Sequence, residues 1–158
     1  MKRHCTRTAS LLALALGFCG TPAPAADFEP FRACVAAADE TAVTATYHHC
    51  TAPLASHCGA SATAADAVAC IRAVRDEFEA EIASGVEALA ERTEERRADV
   101  EWYLADGRGS GESSCAVMAS QDQARGVAVG QRAVNGAFCE LIISGDVLAL
   151  LIRLSAAP

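Results

Sequence analysis

Lysine is nearly missing. Of the 13 basic residues in this 158-residue chain only Lys2 is a lysine, and they face 20 acidic residues, for a formal net charge of −7. A field of that sign repels phosphate backbones and anionic membrane surfaces, which excludes nucleic-acid binding through a basic patch and favours a cationic partner. Long apolar runs are missing as well. The run Leu11–Phe18 falls well short of the ~20 residues that span a bilayer, and the C-terminal run Leu141–Leu154 is broken by Ser144-Gly145-Asp146. No stable membrane insertion is expected. No segment sustains a period-two alternation and β-branched residues are sparse, so a sheet is not expected either.

What is present begins with a leader. Lys2, Arg3, His4 and Arg7 form a basic head, Leu11–Phe18 is apolar, and Thr21-Pro22-Ala23-Pro24-Ala25-Ala26 puts small residues around a cut after Ala25. These are the three parts of a secretory signal peptide. Residues 1–25 are expected to be a cleaved signal and residues 26–158 a single domain, periplasmic or secreted. Cys19 offers an alternative as a lipid-attachment site, but Phe18 before it is not the small residue such sites carry. Cleavage removes Lys2, Arg3 and Arg7. The mature chain then keeps ten basic residues, all arginine, against all 20 acidic ones, so its formal charge is −10.

Cys5 and Cys19 leave with the signal. Cys34, Cys50, Cys58, Cys70, Cys115 and Cys139 remain, and an even set in an exported chain reads as three disulfides, with 15 conceivable pairings. If Cys50 and Cys58 share a helix they stand ~12 Å apart, too far for a disulfide, whose Cα atoms lie within ~7 Å. Cys115 and Cys139 can meet only if the chain folds back between them, and Gly126 and Gly130 sit near the midpoint. The expected pairing is Cys34–Cys50, Cys58–Cys70 and Cys115–Cys139.

Spacings of three and four dominate the rest. Phe28, Phe31, Cys34 and Val35 share a helical face. Asp39-Glu40-Thr41 could cap a second piece carrying Val43, Tyr47, Cys50 and Leu54, which Pro53 bends or interrupts. Thr63 and Asp66 match a capping box before a long run through Cys70, Val74, Phe78, Ile82, Val86, Leu89, Val100, Tyr103 and Leu104, so a long helix is expected over 64–105, with residues 90–99, which lack a large apolar side chain, either solvated or a bend. Arg72/Asp76, Arg75/Glu79 and Arg97/Glu101 are opposite charges four apart along it. Asp106-Gly107-Arg108-Gly109-Ser110-Gly111 should end it in a flexible loop. A further helical region, 114–143, is weakened by Gly126, Gly130 and Gly136 and reads as one helix or two. Ser144-Gly145-Asp146 should then cap a last short helix, 147–154. The fold class expected is all-α: a small disulfide-braced helical bundle with one long central helix.

Chemistry-bearing residues are few. His48, His49 and His57 lie near Cys50 and Cys58, a grouping that could hold zinc or copper if the cysteines were thiolates. Oxidation to disulfides removes those ligands, so no metal and no cofactor is assigned, and the three histidines stay as weak candidates. Ser61, Ser110, Ser113 and Ser114 read as turn residues without a nucleophile elbow. Glu77, Glu79 and Glu81 read as a solvated face. An enzyme is not expected. Trp102 and Tyr103 read first as core residues, and otherwise as an aromatic anchor in a partner interface.

The cysteine series Cys34, Cys50, Cys58, Cys70, the Glu77-Phe78-Glu79 that follows it, and Trp102-Tyr103 ahead of Cys115 and Cys139 together resemble the lysozyme inhibitor LprI-like family of small exported bacterial proteins. The resemblance covers residues 34–154. It implies a disulfide-braced helical fold in the periplasm and, for some members, inhibition of lysozyme. The chain departs from the family in having Asp99-Val100-Glu101 before its tryptophan instead of Gln-Arg-Ala, Asp106 where an arginine usually follows, and a longer interval to Cys115. The function this implies is a periplasmic, non-enzymatic binding or inhibitor-like protein acting on a cationic partner such as lysozyme; the alternative is a metal-binding or stress protein using His48, His49 and His57.

Overall fold

A computed structural model describes residues 27–38, 45–91 and 94–156. Residues 1–26, where a signal peptide and its cut are expected, Asp39-Glu40-Thr41 and Val43 lie outside the described residues. Five α-helices and one 3-10 helix account for most of the rest: α1 (Glu29–Ala37), α2 (Ala45–Thr51), the 3-10 helix Ala52–Ala60, α3 (Ala64–Ala90), α4 (Glu94–Ala124) and α5 (Val129–Ala156). Among the described residues there is no strand, and no helix is long and apolar enough to cross a membrane.

Local rules explain the boundaries that were expected. Thr63 caps α3: its Oγ1 accepts from the Asp66 amide at 3.1 Å, and its hydroxyl donates to Asp66 Oδ2 at 2.7 Å, which holds the cap side chain in place. Pro53 stands at the start of the 3-10 segment, where α2 gives way. Gly126, at φ +71°, makes the turn between α4 and α5 in the left-handed region that side chains avoid.

Register follows from side-chain pairs. Arg75 Nη1 donates to Glu140 at 2.7 Å and Ser144 Oγ donates to Glu79 at 2.6 Å, both pairs 65 apart in sequence. Gly85 lies against Leu151 and Gly130 against Ala64. A constant offset means that α3 and α5 run parallel. Between α4 and α5 the order reverses, with Asn135 donating to Asp122 at 2.7 Å, Cys115 bonded to Cys139 and Gly111 against Ile143. The three long helices therefore run up, down, up.

The three short helical pieces, α1, α2 and the 3-10 helix, close the α3/α5 side. Phe28 and Phe31 pack edge-on against Phe78, with ring centroids 4.8 and 5.1 Å away. Cys34–Cys50 ties α1 to α2, and Cys58–Cys70 ties the 3-10 helix to α3, with Cα–Cα separations of 5.7 and 5.6 Å. Arg32 pairs with Glu81, and Arg153 donates to the Ala38 carbonyl at 3.2 Å. One core of Phe31, Val35, Ile71, Phe78, Leu141, Leu148 and their neighbours results. The expected pairing of all six cysteines is the one found.

Three expectations fail. Residues 106–111 are not a loop but the middle of α4, and Ser110, Ser113 and Ser114 are helical. The long helix over 64–105 is realised as α3 and α4, with α3 ending at Ala90. Ser144-Gly145-Asp146 caps nothing, because α5 runs through it. Each glycine costs a helix about 1 kcal/mol relative to alanine, and tertiary contacts outweigh that cost here. Arg108, set between two glycines, grips both oxygens of Glu79 at 3.0 and 2.6 Å, and Cys139 holds Cys115. Gly145 is where Thr51 crosses α5: a Cβ there would overlap the Thr51 hydroxyl and lie 3.0 Å from its Cβ. Of the expected i,i+4 pairs, Arg97–Glu101 forms at 2.8 Å, while Arg75 turns instead to Asp76 and Glu140.

Candidate binding site

Small residues recur on one side of α4 at helical spacing: Gly107, Ser110, Gly111 and Ser114. A wall of that kind cannot fill the space beside it. The opposite walls come from the 3-10 helix and from α5, through residues such as Ala55, Phe138, Ile142, Val147 and Leu150. The result is an open, mostly apolar groove of about 1120 Å3, slightly above the roughly 300–1000 Å3 usual for ligand sites.

Asp146 lies in its wall. Its Oδ2 is 3.7 Å from His48 Nε2, while its Oδ1 is buried with no hydrogen-bond partner. Burial pushes the carboxyl up to about 6 from the ordinary 3.8, against the downward pull of His48. A raised native pKa means that the folded chain binds this proton more tightly than the unfolded chain does. Stability contributed by Asp146 is therefore present at low pH and lost as pH rises from about 4 to about 6. Asp146→Asn is expected to melt higher than the parent above pH 6 and level with it near pH 4. Thermal midpoints of both proteins at the two pH values check this.

On the other side of α5 the polar groups are paired. The Arg108 guanidinium holds the Glu79 carboxyl below the usual carboxylate range, against partial burial, and the Ser144 hydroxyl adds to that pull. Arg75 joins Asp76 and Glu140. Glu79 is thus an interhelical anchor and not part of a solvated face.

The residues singled out from sequence do not converge on one place. Trp102 and Tyr103 are 62% and 49% exposed, which overturns their reading as core. Their rings meet edge to face at 5.0 Å. Asp99 and Asp106, three residues before Trp102 and four after it, share its side of α4 and are exposed. His48 faces Asp146, whereas the exposed His57 lies 3.7 Å from the Cys58 sulfur. Among the described residues, His57, Cys58 and Cys70 alone group at metal-ligand distances, and both sulfurs belong to one disulfide. That leaves a single imidazole, too little for a zinc or copper site. His49 is exposed and joins no such group.

Sequence reasoning missed the groove and Asp146. The signals were a Gly-x-x-Ser-Gly-x-x-Ser spacing, read as a loop, and a carboxylate set between Ile143 and Val147 in an apolar helix. No family model, no curated protein and no solved structure matches this chain.

Proposed function

We propose that this chain is an exported, non-enzymatic binding protein of inhibitor type. It docks a basic protein on the aromatic and acidic side of α4, and a lysozyme-type hydrolase is the partner that the family resemblance suggests. The observation that carries this is the exposure of Trp102 and Tyr103 as a touching pair. Large aromatic side chains left in water at one spot, with Asp99 and Asp106 beside them, have the composition of an interface hot spot: an apolar anchor with charge around it. An excess of acidic residues over the whole chain would speed the encounter with a basic partner and make it salt-sensitive.

The test is cell-wall lysis by lysozyme with the purified protein added at low and moderate salt. Inhibition is expected, weakening as salt screens the charges. The double variant Trp102→Ala/Tyr103→Ala should lose at least ~10-fold in potency, the scale of removing hot-spot residues. Inhibition that survives both substitutions yet vanishes with salt would indicate nonspecific charge pairing. No inhibition at large molar excess in either buffer would remove lysozyme as the partner.

A further inference from the structure

We propose that the groove beside α4 binds an amphipathic primary amine, with its ammonium on Asp146 and its apolar body along α5 toward Val134. The site does not use Trp102 or Tyr103; it shares with their face only Asp106, which also lines the groove. Shape comes first. From Asp146 back to Val134 the α5 floor runs ~18 Å at 1.5 Å per residue, and Phe138, Ile142 and Ile143 line it. An elongated apolar body fits such a trough, and the glycines and serines of α4 keep it open.

Polarity comes second. Asp146 lines the groove with its side chain 36% exposed, and because its Oδ1 is buried, Oδ2 is the oxygen that a molecule in the groove can reach. The protein offers little at this point. Among the lining residues that carry charge or titrate, His48 from α2 approaches Oδ2 at 3.7 Å, and Arg153 lies two turns along α5, bonded to the Ala38 carbonyl. The remaining one, Asp106 from α4, is a second carboxylate. An ammonium brings Oδ2 both a donor closer than His48 and the matching charge, in a hydrogen bond of the charge-assisted kind. A quaternary ammonium brings charge without a donor. A fatty carboxylate would meet Asp146 and Asp106 with like charge.

The experiment is calorimetric titration of the full mature protein at pH 7.5 with dodecylamine, dodecanol and dodecanoate, each below its micelle concentration. The amine is expected to bind at least ~10-fold more tightly than the other two, the lower end of what a hydrogen bond to a charged group supplies. Asp146→Asn should bring the amine down to the affinity of the alcohol and leave the alcohol unchanged. Ser114→Trp, which fills the groove from α4, should weaken all three, and Ser110→Leu is the second wall variant should the first not fold. Equal affinities for the three probes overturn the proposal. So does amine binding indifferent to Asp146→Asn, or binding that survives a folded groove-filling variant, since the amine would then sit on the acidic surface elsewhere.

Discussion

In excess thiol reductant the thermal midpoint of this protein is expected to fall by more than ~10 °C, with loss of most of its cooperative transition. Three disulfides close loops of 16, 12 and 24 residues, and loops of that size stabilise by ~3 kcal/mol each when the unfolded chain is constrained. A domain of this length has about 5–15 kcal/mol of net stability to lose. The effect should concentrate in α4. That helix is the poorest in apolar surface: Val100 and Leu104 are its buried hydrophobic residues, while Gly107, Gly109 and Gly111 weaken its middle. Cys115–Cys139 is its covalent hold on α5. The double variant Cys115→Ala/Cys139→Ala should therefore lose helical signal at a lower temperature than the parent. Circular dichroism melts with and without reductant decide it, and an unchanged midpoint would mean that the bridges contribute nothing.

Phe78→Ala should cost about 3–5 kcal/mol, the range for emptying a large aromatic site in a packed core. Phe78 is 0% exposed, and it touches both Phe28 and Phe31 edge-on. Such ring pairs add ~0.5–1.5 kcal/mol beyond their buried area. Removing the ring leaves a cavity and also strips α1 of the surface it packs on. Nothing nearby compensates: the Arg32–Glu81 pair joining the same helices is solvent-exposed, and exposed ion pairs contribute ~0–1 kcal/mol. Phe78→Leu should recover more than half of the loss. Urea midpoints of the three proteins measure it, and a cost below ~1 kcal/mol for the alanine variant would show that α1 docks without this ring.

What could be read from sequence was what short-range chemistry dictates. The Thr63–Asp66 cap, the interruption at Pro53 and the turn at Gly126 each depend on the few residues around them, and all were legible. The cysteine pairs were legible only in part: the rise of a shared helix would exclude Cys50–Cys58 alone, and Cys58 in fact lies beyond α2, in the 3-10 helix. Misjudged were the places where distant residues decide. Gly107-Arg108-Gly109 reads as a loop until Glu79 is known to stand opposite Arg108. Ser144-Gly145-Asp146 reads as a break until Thr51 crosses at Gly145. Trp102 reads as core because most tryptophans are buried, and nothing local says that α4 turns Val100 and Leu104 inward instead. The groove was invisible for the same reason: an empty space belongs to no residue, and its sign in the sequence is only the absence of large side chains along one side of a helix.

The order of the disulfides along the chain bears on how they form. Cys34 pairs with Cys50, Cys58 with Cys70 and Cys115 with Cys139; no bridge encloses or interleaves with another. A chain delivered N-terminus first into an oxidising compartment exposes Cys34, Cys58 and Cys115 each as the cysteine just ahead of its own partner. Oxidation in order of appearance then yields the native set, without reshuffling by an isomerase. The most separated pair, Cys115 and Cys139, is brought together by the α4–α5 hairpin, which can form before the end of α5 has emerged.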